Sequence, residues 1–553
     1  MKLPILPVFS LLIVTLLLYS CDRDREFSDQ LIERIKADSS LDGEFEGDLI
    51  FNLETIQALY EEEDQILLPK WGNMDKVNEM LYVIRNISAD GLHPQDYHLN
   101  SIETLVEKVF RGGEANMEDR VKLELLLTDA YLLITTHLAA GKIDQEKVDP
   151  KWKAAKRTPR HNLEKFVDST IVHDQIIESI LSLTPNHRGY KNLKKGLANY
   201  RSIAAIGGWG DFELTLPKLE RGMSHPDVAK LRNRLSRERE LRTVASDENM
   251  FDDGLYESVI EFQNLHGLTP DGVVGKGTAE ALNVPVEDRI AAIEANMERW
   301  RWLSDNLGDR YIQVNIANYE MQVVENDQPV LISRAIVGRP YRQTPVFSAV
   351  MNHLVLAPTW TVPPGILWQD VIPAVKKNPA YLSQKKMQLL RSNGSVVNPS
   401  TIDWKNVNRS NFPYTVRQVP GKDNALGRVK FMFPNPYHVY IHDTPTRDLF
   451  AQTDRTFSSG CIRISKPMEL ADYLLRDKPE WTADQITRTI AQGRERAIYL
   501  SNPIQVHILY LTTWAEDDGT IHFRKDVYNR DQPLLAALKQ APPTTAIVVA
   551  PSL

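Results

Sequence analysis

Apolar positions recur at helical spacing in the first part of the chain, from about residue 50 to residue 205. Residues three and four apart share one face of an α-helix, so this spacing predicts helices that bury one face. A helix stop follows at Gly141. We therefore predict an all-helical scaffold domain over 50–205. The two clearest stripes consist of Leu123, Leu126, Leu127, Ala130, Tyr131 and Ile134, and of Ile177, Ile180 and Leu183.

A compact module with three short helices is predicted between residues 213 and 285. Two turn signals in the segment 267–272 separate the second helix from the third, which runs from Ala279 to Leu282. The pattern alone indicates a small helical domain. The first two helices are marked by Val228, Leu231 and Leu235, and by Val259, Phe262 and Leu265.

The pattern changes from helical to alternating after a helix near Glu287 to Leu303. Alternation of apolar and polar residues predicts half-buried strands. We therefore predict a β-rich domain over 308–500, with a polar insertion at 375–425 and C-terminal strands and a tail over 501–553. The fold class is multidomain α+β. The predicted strands are Tyr311 to Ile316, Met321 to Val324, Leu331 to Val337, Val429 to Phe433, Tyr437 to His442, Gln505 to Thr512 and His522 to Lys525, and a helix is predicted after Pro467.

Length and charge narrow the function classes. A chain of 553 residues is too long for one hydrophobic core. The formal net charge of -8 and the lack of a dominant basic face argue against nucleic-acid binding. A mean hydropathy of -0.33 excludes a multi-span membrane protein.

The N-terminus has the layout of a secretory signal peptide over residues 1–20. Lys2 precedes an apolar stretch that is short for a spanning helix. The stretch ends in Leu18-Tyr19-Ser20-Cys21, which resembles the lipobox of bacterial lipoproteins. The resemblance implies a lipid on Cys21, an acidic tether over 21–49, and a membrane-anchored location in the periplasm of a Gram-negative bacterium. An uncleaved anchor, or an ordinary signal peptide with an incidental cysteine, is the alternative.

The chain contains two cysteines, Cys21 and Cys461. If Cys21 carries a lipid, Cys461 has no disulfide partner in an oxidising compartment. A leftover cysteine of this kind is either a reactive thiol or a small buried core residue. The count alone leaves both interpretations open.

Two segments supply the chemistry that a reactive thiol needs. In the predicted strand 437–442, His438, Tyr440 and His442 would share one face. A nearby imidazole can take the thiol proton or pair with the thiolate. In the second segment, Gly460 permits an unusual backbone at Cys461.

The loop around Cys461 also predicts substrate contacts. Backbone N–H groups in the loop of Ser459, Gly460 and Cys461 can hold an oxyanion. Arg463 shares a face with Cys461 and can bind a substrate carboxylate, or it is an ordinary surface arginine.

The spacing of these residues resembles the active-site motif of L,D-transpeptidases (the YkuD-type catalytic domain). His442 is followed by fifteen residues and then by Ser458-x-Gly460-Cys461. At two positions the chain differs from the commoner pattern of that family: Ser459 stands where many members have His, and Arg463 stands where some have Asn. At these positions the chain resembles the large YcbB-like subgroup. The module at 213–285 resembles a three-helix peptidoglycan-binding domain through Phe-Gln-x-x-x-Gly-Leu-x-x-Asp-Gly. Further subgroup motifs are Val337 to Pro340, Thr344-Pro345, Pro358 to Pro364, Gly427 to Asn435 and His442 to Pro445.

The resemblance implies a two-step acyl transfer without a cofactor or metal. Cys461 would attack a tetrapeptide stem and release D-alanine, and the thioester would pass to the amine of another stem as a 3→3 crosslink. His442 would act as the base, and the insertion would cap the cleft. Tyr440, Trp360, Arg463 and Ser458 are the expected substrate contacts. The expected partners are peptidoglycan stems and glycan, and the membrane through Cys21, for a monomeric protein.

Three alternatives remain at this point. The same residues would serve an L,D-carboxypeptidase or endopeptidase if water replaced the amine. A non-enzymatic wall tether would need only the lipid and the module at 213–285. A metal site would have to combine His353, His438, His442 and Cys461, which lack close paired ligand spacing.

Overall fold

The computed structural model describes residues 22–36, 44–45, 48–60, 66–112, 115–157, 163–238 and 247–542. The predicted signal peptide at 1–20 and Cys21 lie outside these residues. The described residues form a helical scaffold, a three-helix module and a β-rich domain, so the predicted fold class is confirmed.

The scaffold is built around helix α5, Met117–Ala140, which is the longest of its helices and is buried over most of its length. Asn116 caps its N-terminus in a capping box with Asp119, and the helix ends before Gly141, whose φ is 97°. Helix α5 has the length and composition of a membrane span, but 94% of its apolar window is buried inside the scaffold. The helices are α1 at 22–36, α2 Leu53–Tyr60, α3 Met74–Asn86, α4 Leu99–Phe110, α5 Met117–Ala140, α6 Gln145–Val148, α7 Leu163–Val172, α8 Ile176–Leu183 and α9 Arg188–Ala205.

Helix α1 corrects the predicted tether. Phe27, Leu31 and Ile35 of this helix are buried in the same core as helix α5. Burial of three large apolar side chains at helical spacing fixes the segment to the scaffold. The tether predicted over 21–49 is therefore wrong for residues 22–36. The short strands β1 Glu44–Phe45 and β2 Asp48–Leu49 follow it.

The three-helix module has a core of its own. Val228, Leu231, Val259, Phe262 and Leu282 pack together, as the helical pattern predicts. Its helices are α10 Pro226–Glu238, α11 Asp253–Leu265 and α12 Lys276–Leu282, and helix α13 Val286–Trp302 then leads to the β-rich domain.

The β-rich domain is a ring of eight strands. They follow each other in the order β12, β13, β15, β6, β5, β4, β16 and β7, and the pairing of β12 with β7 closes the ring. The apolar core fills the barrel and continues against helices α9 and α13, because Ile312, Leu193 and Trp300 belong to one cluster. The strands are β4 Arg310–Asn315, β5 Glu320–Glu325, β6 Gln328–Gly338, β7 Val346–Leu356, β12 Val429–Met432, β13 Ile441–His442, β15 Ile462–Ile464 and β16 Arg496–Leu509, and β3 Trp152–Lys153 and β14 Thr456–Ser458 pair with β7 and β6.

The C-terminal segment belongs to this barrel. Strand β16 lies between β4 and β7, and Tyr528 and Leu534 are buried in the barrel-side core. Strands are present in the predicted segment 501–553, but the predicted domain boundary at residue 500 falls inside β16, so residues 501–542 belong to the barrel-side domain. The remaining elements are β17 Thr513–Ala515, β18 Ile521–Phe523, α17 Pro467–Leu475, α18 Ala483–Ala491 and α19 Asp531–Leu538.

The insertion is a small folded subdomain, which we call the cap. Its sheet has the order β10, β9, β11, β8, and it begins at Trp360, earlier than the predicted boundary at 375. Val375, Leu389 and Val416 are buried in a separate core. The apolar residues are spread thinly between polar ones, which is why the sequence indicated only a polar insertion. The cap contains β8 Trp360–Thr361, α14 Pro364–Ile366, α15 Ile372–Lys377, α16 Tyr381–Gln384, β9 Met387–Leu390, β10 Val396–Val397 and β11 Thr415–Gln418.

Candidate active site

Cys461 lies in a tight loop directly before strand β15. Gly460 has a φ of 115°, a conformation that side chains resist. The buried Ser458 hydroxyl donates to the Cys461 carbonyl at 2.6 Å and accepts from the Gly460 N–H at 3.1 Å. Ser458 therefore shapes the loop from within, which differs from the substrate contact predicted for it.

Residues far away in the sequence support this loop from behind. The Thr344 hydroxyl donates to the Gly460 carbonyl at 2.8 Å and accepts from the Gly338 N–H at 2.9 Å. The Tyr528 hydroxyl donates to the Gly338 carbonyl at 2.6 Å and accepts from the Thr344 N–H at 3.1 Å. The sequence analysis missed Tyr528, because nothing local links it to Cys461.

The Cys461 thiol is half-buried, and its sulfur lies 3.8 Å from the His438 carbonyl oxygen. Burial raises the pKa of the Cys461 thiol, although Tyr440, Lys430 and Arg463 oppose the shift. A raised pKa keeps the resting thiol protonated at neutral pH. A base is therefore needed to form the nucleophile.

His442 has the properties of that base. Its Nδ1 lies 2.6 Å from the Asp443 carbonyl oxygen, which can only accept, so Nδ1 carries the hydrogen and Nε2 has the free lone pair. Burial, followed by the positive charge of Arg463, lowers the pKa of His442 to about 3. The imidazole is therefore neutral at neutral pH. The backbone carbonyl of Asp443 orients it, which the sequence had left open.

Three side chains line up across neighbouring strands on the outside of the barrel. His442 pairs with Arg463 of β15 in parallel register, and Lys430 of β12 pairs with His442 in antiparallel register. Paired residues share a face of the sheet, and Cys461 is two positions before Arg463. The fold thus brings the two predicted segments to one face and adds Lys430, which lies in the motif Gly427 to Asn435 but had no predicted role.

Tyr440 and Trp360 border the thiol. The Tyr440 ring lies 5.5 Å from the His442 ring, and the Lys430 ammonium lies 4.6 Å from the Tyr440 centroid. Burial and the charge of Cys461 raise the pKa of Tyr440, and a hydrogen bond with Trp360 opposes this rise. Trp360 is half-buried and also packs on the cap core, so it contributes to the packing of the cap as well as to the wall beside the thiol.

His438 departs from the predicted strand. Only Ile441 and His442 form β13, and His438 has a φ of 55° with an exposed side chain. The strand predicted over Tyr437 to His442 is therefore wrong for 437–440, because the chain turns there. His438 contributes its carbonyl oxygen next to the thiol.

Arg463 is not an ordinary surface arginine. One Nη lies 3.4 Å from the Thr446 hydroxyl, and Nε is buried without a hydrogen-bond partner among the described residues. Burial and the charge of Arg339 lower the pKa of its guanidinium. An under-satisfied guanidinium on the face of Cys461 is suited to an anionic substrate group.

Arg342 was missed by the sequence analysis, whereas Asp443 lies in the predicted motif His442 to Pro445 and was one of the groups left open for orienting His442. The buried Asp443 carboxylate accepts from the Arg428 N–H at 2.9 Å and from Arg447 at 3.0 Å. Arg342 donates to the Ser459 hydroxyl at 2.9 Å and to Asp370 of the cap at 2.8 Å. Ser459 therefore connects the nucleophile loop to the cap. Arg342 acts through contacts between distant segments, whereas Asp443 holds Arg447, four residues further on, and Arg428 next to strand β12.

The described residues hold no group of three or more His, Cys, Asp or Glu side chains arranged to bind a metal ion. His353, one of the four candidate ligands, instead contacts Tyr499 at 5.1 Å between ring centroids.

Three family models match the chain. Residues 309–490 match the L,D-transpeptidase catalytic domain, residues 54–197 match the Scaffold domain, and residues 224–282 match a model described as "Putative peptidoglycan binding domain". In chain order, the matches are the Scaffold domain, the peptidoglycan-binding domain and the catalytic domain. This order confirms the architecture that the sequence resemblance implied.

A curated relative and several solved structures are also similar to this chain. A Haemophilus influenzae protein named "Putative L,D-transpeptidase" is 35% identical over 221 residues, which is 40% of this chain and 44% of that protein. The chain thus spans less than half the length of this relative. A solved L,D-transpeptidase from Xylanimonas cellulosilytica is 15% identical, with a TM-score of 0.17, and the match covers 54% of this chain and 100% of that one. A mutant L,D-transpeptidase from Enterococcus faecium is 11% identical, with a TM-score of 0.18, and the match covers 57% and 100%.

Proposed function

We propose that this protein makes 3→3 crosslinks in peptidoglycan through a thioester on Cys461, since residues 309–490 match the L,D-transpeptidase catalytic domain. The pairing of His442 with Arg463 carries the proposal, since it sets a neutral imidazole and a guanidinium on the face of the thiol. The peptidoglycan-binding match at 224–282 supports the wall as the substrate.

In the first step, the Cys461 sulfur attacks the carbonyl carbon of the diamino acid at the third position of a tetrapeptide stem. The Nε2 atom of His442 takes the thiol proton as the S–C bond forms, because the raised pKa of Cys461 leaves no preformed thiolate. The backbone N–H of Cys461 is suited to the oxyanion, whereas the Gly460 N–H already donates to the Ser458 hydroxyl. His442 then returns the proton to the leaving amine, the C–N bond breaks, and D-alanine leaves.

In the second step, the side-chain amine of another stem attacks the thioester carbonyl. His442 removes a proton from the amine, the C–S bond breaks, and the Cys461 thiol is restored. Arg463 is suited to hold the donor's carboxylate, because its guanidinium is only weakly satisfied within the protein. The cap contacts the nucleophile loop through Arg342 and thereby limits the access of water.

The proposal places the protein in the periplasm as a lipoprotein, with lipid on Cys21. The motif Leu18-Tyr19-Ser20-Cys21 supports this location. We expect radiolabelled palmitate to label the wild type and not the Cys21→Ser variant. Equal labelling of both proteins would reject the lipid anchor, without affecting the assignment of Cys461.

Incubation of the purified protein with disaccharide tetrapeptides, followed by mass spectrometry, tests the activity. We expect crosslinked dimers that have lost one D-alanine, and none from the Cys461→Ala variant. The matched Ser410→Ala control, at an exposed position of the cap, should keep full activity. Tripeptide monomer without dimer would show that water is the acceptor and that the protein is a carboxypeptidase. If neither the dimer nor the tripeptide monomer forms, only the wall-tether role remains.

A further inference from the structure

Lys430 is a half-buried cation beside the thiol, and the two steps of the proposed acyl transfer give it no role. Its ammonium lies 4.6 Å from the centroid of the Tyr440 ring, and within the described part of the chain it forms no ion pair and no hydrogen bond. Burial lowers the pKa of Lys430, whereas the charges of Glu495 and Cys461 oppose this shift. An unpaired charge that has lost part of its hydration is costly to hold. A bound anion would offset that cost.

Carboxylates on the neighbouring segments are engaged by other groups. The Asp443 carboxylate is held by two arginines, at 3.2 Å and 3.0 Å. The Glu495 carboxylate accepts hydrogen bonds from the Thr359 N–H at 2.6 Å and from the Thr359 hydroxyl at 2.7 Å. Neither carboxylate forms an ion pair with Lys430, so its ammonium is available to an anionic group of a substrate.

Strand pairing places Lys430 next to the base. Lys430 lies directly opposite His442 in the antiparallel pair of β12 and β13, and Arg463 pairs with His442 on its other side. Residues opposed in this way have Cβ atoms about 4.5–5.5 Å apart. Burial lowers the pKa of His442, and the charges of Arg463 and Lys430 lower it further. An imidazolium that forms at His442 during the reaction is therefore repelled by a cation on each side.

The two chemical steps bring the same kind of group to this position. In acylation, His442 returns its proton to the nitrogen of the leaving D-alanine, and in transfer it takes a proton from the nitrogen of the acceptor. Both nitrogens must therefore come to the Nε2 atom of His442. The nitrogen of D-alanine has a carboxylate on the adjoining carbon. A carboxylate in that place lies one strand away from Lys430, within the reach of its long side chain.

We infer that Lys430 binds a carboxylate on the carbon that bears the acceptor amine, and so determines which amines receive the acyl group. The inference rests on the proposed function, because it needs a transfer step. In that step the N–C bond forms, the C–S bond breaks, and the amine proton passes through His442 to the Cys461 sulfur. The side-chain amine of diaminopimelate has such a carboxylate beside it, whereas the side-chain amine of lysine has none.

A carboxylate held by Lys430 would also favour the proton transfer itself. Its negative charge would offset the repulsion that His442 meets as an imidazolium between two cations. An amine without the carboxylate would lose both the contact with Lys430 and this compensation. Arg463, which lies on the strand that follows Cys461, remains for a carboxylate of the donor.

Competition between two acceptors for one acyl-enzyme tests the inference. The full protein receives a tetrapeptide donor whose side-chain amine is acetylated, so that the donor cannot act as an acceptor. Two tripeptide stems are added in equal amounts, and they differ only in whether the carboxylate beside the diaminopimelate amine is free or amidated. We expect the free carboxylate to give about tenfold more dimer, measured by liquid chromatography with mass spectrometry. Equal amounts of the two dimers, or an excess of the amidated dimer, would overturn the inference.

The Lys430→Met variant provides a second measurement. Methionine keeps an unbranched apolar side chain against the Tyr440 ring and removes the charge, so the two dimers should form in nearly equal amounts. The ratio of two products from one acyl-enzyme depends neither on the rate of acylation nor on the fraction of the protein that is folded. Lys430→Arg should keep the preference, and Lys405→Met, at an exposed position of the cap, should leave it at the wild-type value. A wild-type ratio in Lys430→Met would reject Lys430 as the residue that binds the carboxylate.

Failure of the proposed function has a different result in the same assay. If the wild type converts the donor only to tripeptide monomer, water is the acceptor, and the transfer and the inference are both rejected. If the wild type forms both dimers without preference, the transfer stands and only the inference about Lys430 is rejected.

Discussion

Arg342 lies between the cap and the nucleophile loop, with one Nη 2.9 Å from the Ser459 hydroxyl oxygen. The same nitrogen lies 2.8 Å from Asp370, and the other contacts Gln369 of the cap. One guanidinium therefore connects the residue two positions before Cys461 to the subdomain that covers the cleft. This link gives the cap a direct influence on the geometry of the loop.

Arg342→Gln should reduce transfer about tenfold, because it removes charge-assisted hydrogen bonds to the loop and the cap. The measurement is kcat/KM for dimer formation from disaccharide tetrapeptides, together with the ratio of dimer to tripeptide. Asp370→Asn should have a smaller effect, since its side chain is half-exposed and the pair is screened. The exposed Arg391→Gln serves as the control. Equal activity of the Arg342 variant and the control would contradict this role for the link.

The acylation of Cys461 should depend little on pH between about 5 and 8. The pKa of His442 is lowered to about 3, so the imidazole remains a neutral base over this range and is protonated only in stronger acid. At alkaline pH the rate should rise, because the pKa of the Cys461 thiol is raised and thiolate forms late. The rate of acylation by a carbapenem, followed by mass shift, measures this profile. An inflection near pH 6.5 would instead indicate an imidazole of ordinary pKa.

The lowered pKa of His442 also affects stability. A histidine in the unfolded chain takes up a proton below about pH 6.5, whereas folded His442 stays neutral down to about pH 3. Unfolding therefore binds a proton in this window, and the folded state loses stability as the pH falls through it, by at most about 1.4 kcal/mol per pH unit. The His442→Gln variant should show a smaller loss of Tm between pH 6.5 and 4.5. An identical loss in both proteins would contradict the assignment.

Asp443→Asn should lower both activity and stability. The carboxylate ties Arg428 and Arg447 to the strand end whose carbonyl orients His442. Loss of these buried charge-assisted bonds should cost about 1–3 kcal/mol, measured by urea unfolding, and should slow acylation by a carbapenem. Asp448→Asn, at an exposed position nearby, is the matched control. If Asp443→Asn is acylated at the wild-type rate, the Asp443 carbonyl orients His442 without help from the carboxylate.

Tyr528→Phe should destabilise the barrel by about 1–3 kcal/mol, because Gly338 and Thr344 lose a buried hydrogen-bond partner. Thermal unfolding measures the change, and acylation of Cys461 should slow as the loop loses support. Tyr499→Phe removes a hydroxyl from a side chain that is 68% exposed and should be neutral. If both variants unfold alike, the C-terminal segment does not support the loop.

The sequence by itself determined the elements with strong periodicity and the residues joined by short spacing. The stripe of Leu123 to Ile134 predicted the core helix of the scaffold, since helical periodicity is a local property. The motif from His442 to Cys461 brought the thiol and the imidazole together in one prediction. His438 marks the limit of this reasoning, because alternation assumes a strand and the chain turns there with positive φ.

The tertiary structure alone decided which distant residues surround that motif. Lys430, Arg342 and Tyr528 reach the site from distant segments, and no local pattern records such contacts, although Lys430 lies in a predicted motif. Closure also places β16 in the wall of the barrel between β4 and β7, although its position near the chain end suggested a tail. A cleft also lies between the barrel and helix α9. It forms because strands and helices distant in the chain become neighbours only when the core that they share is buried.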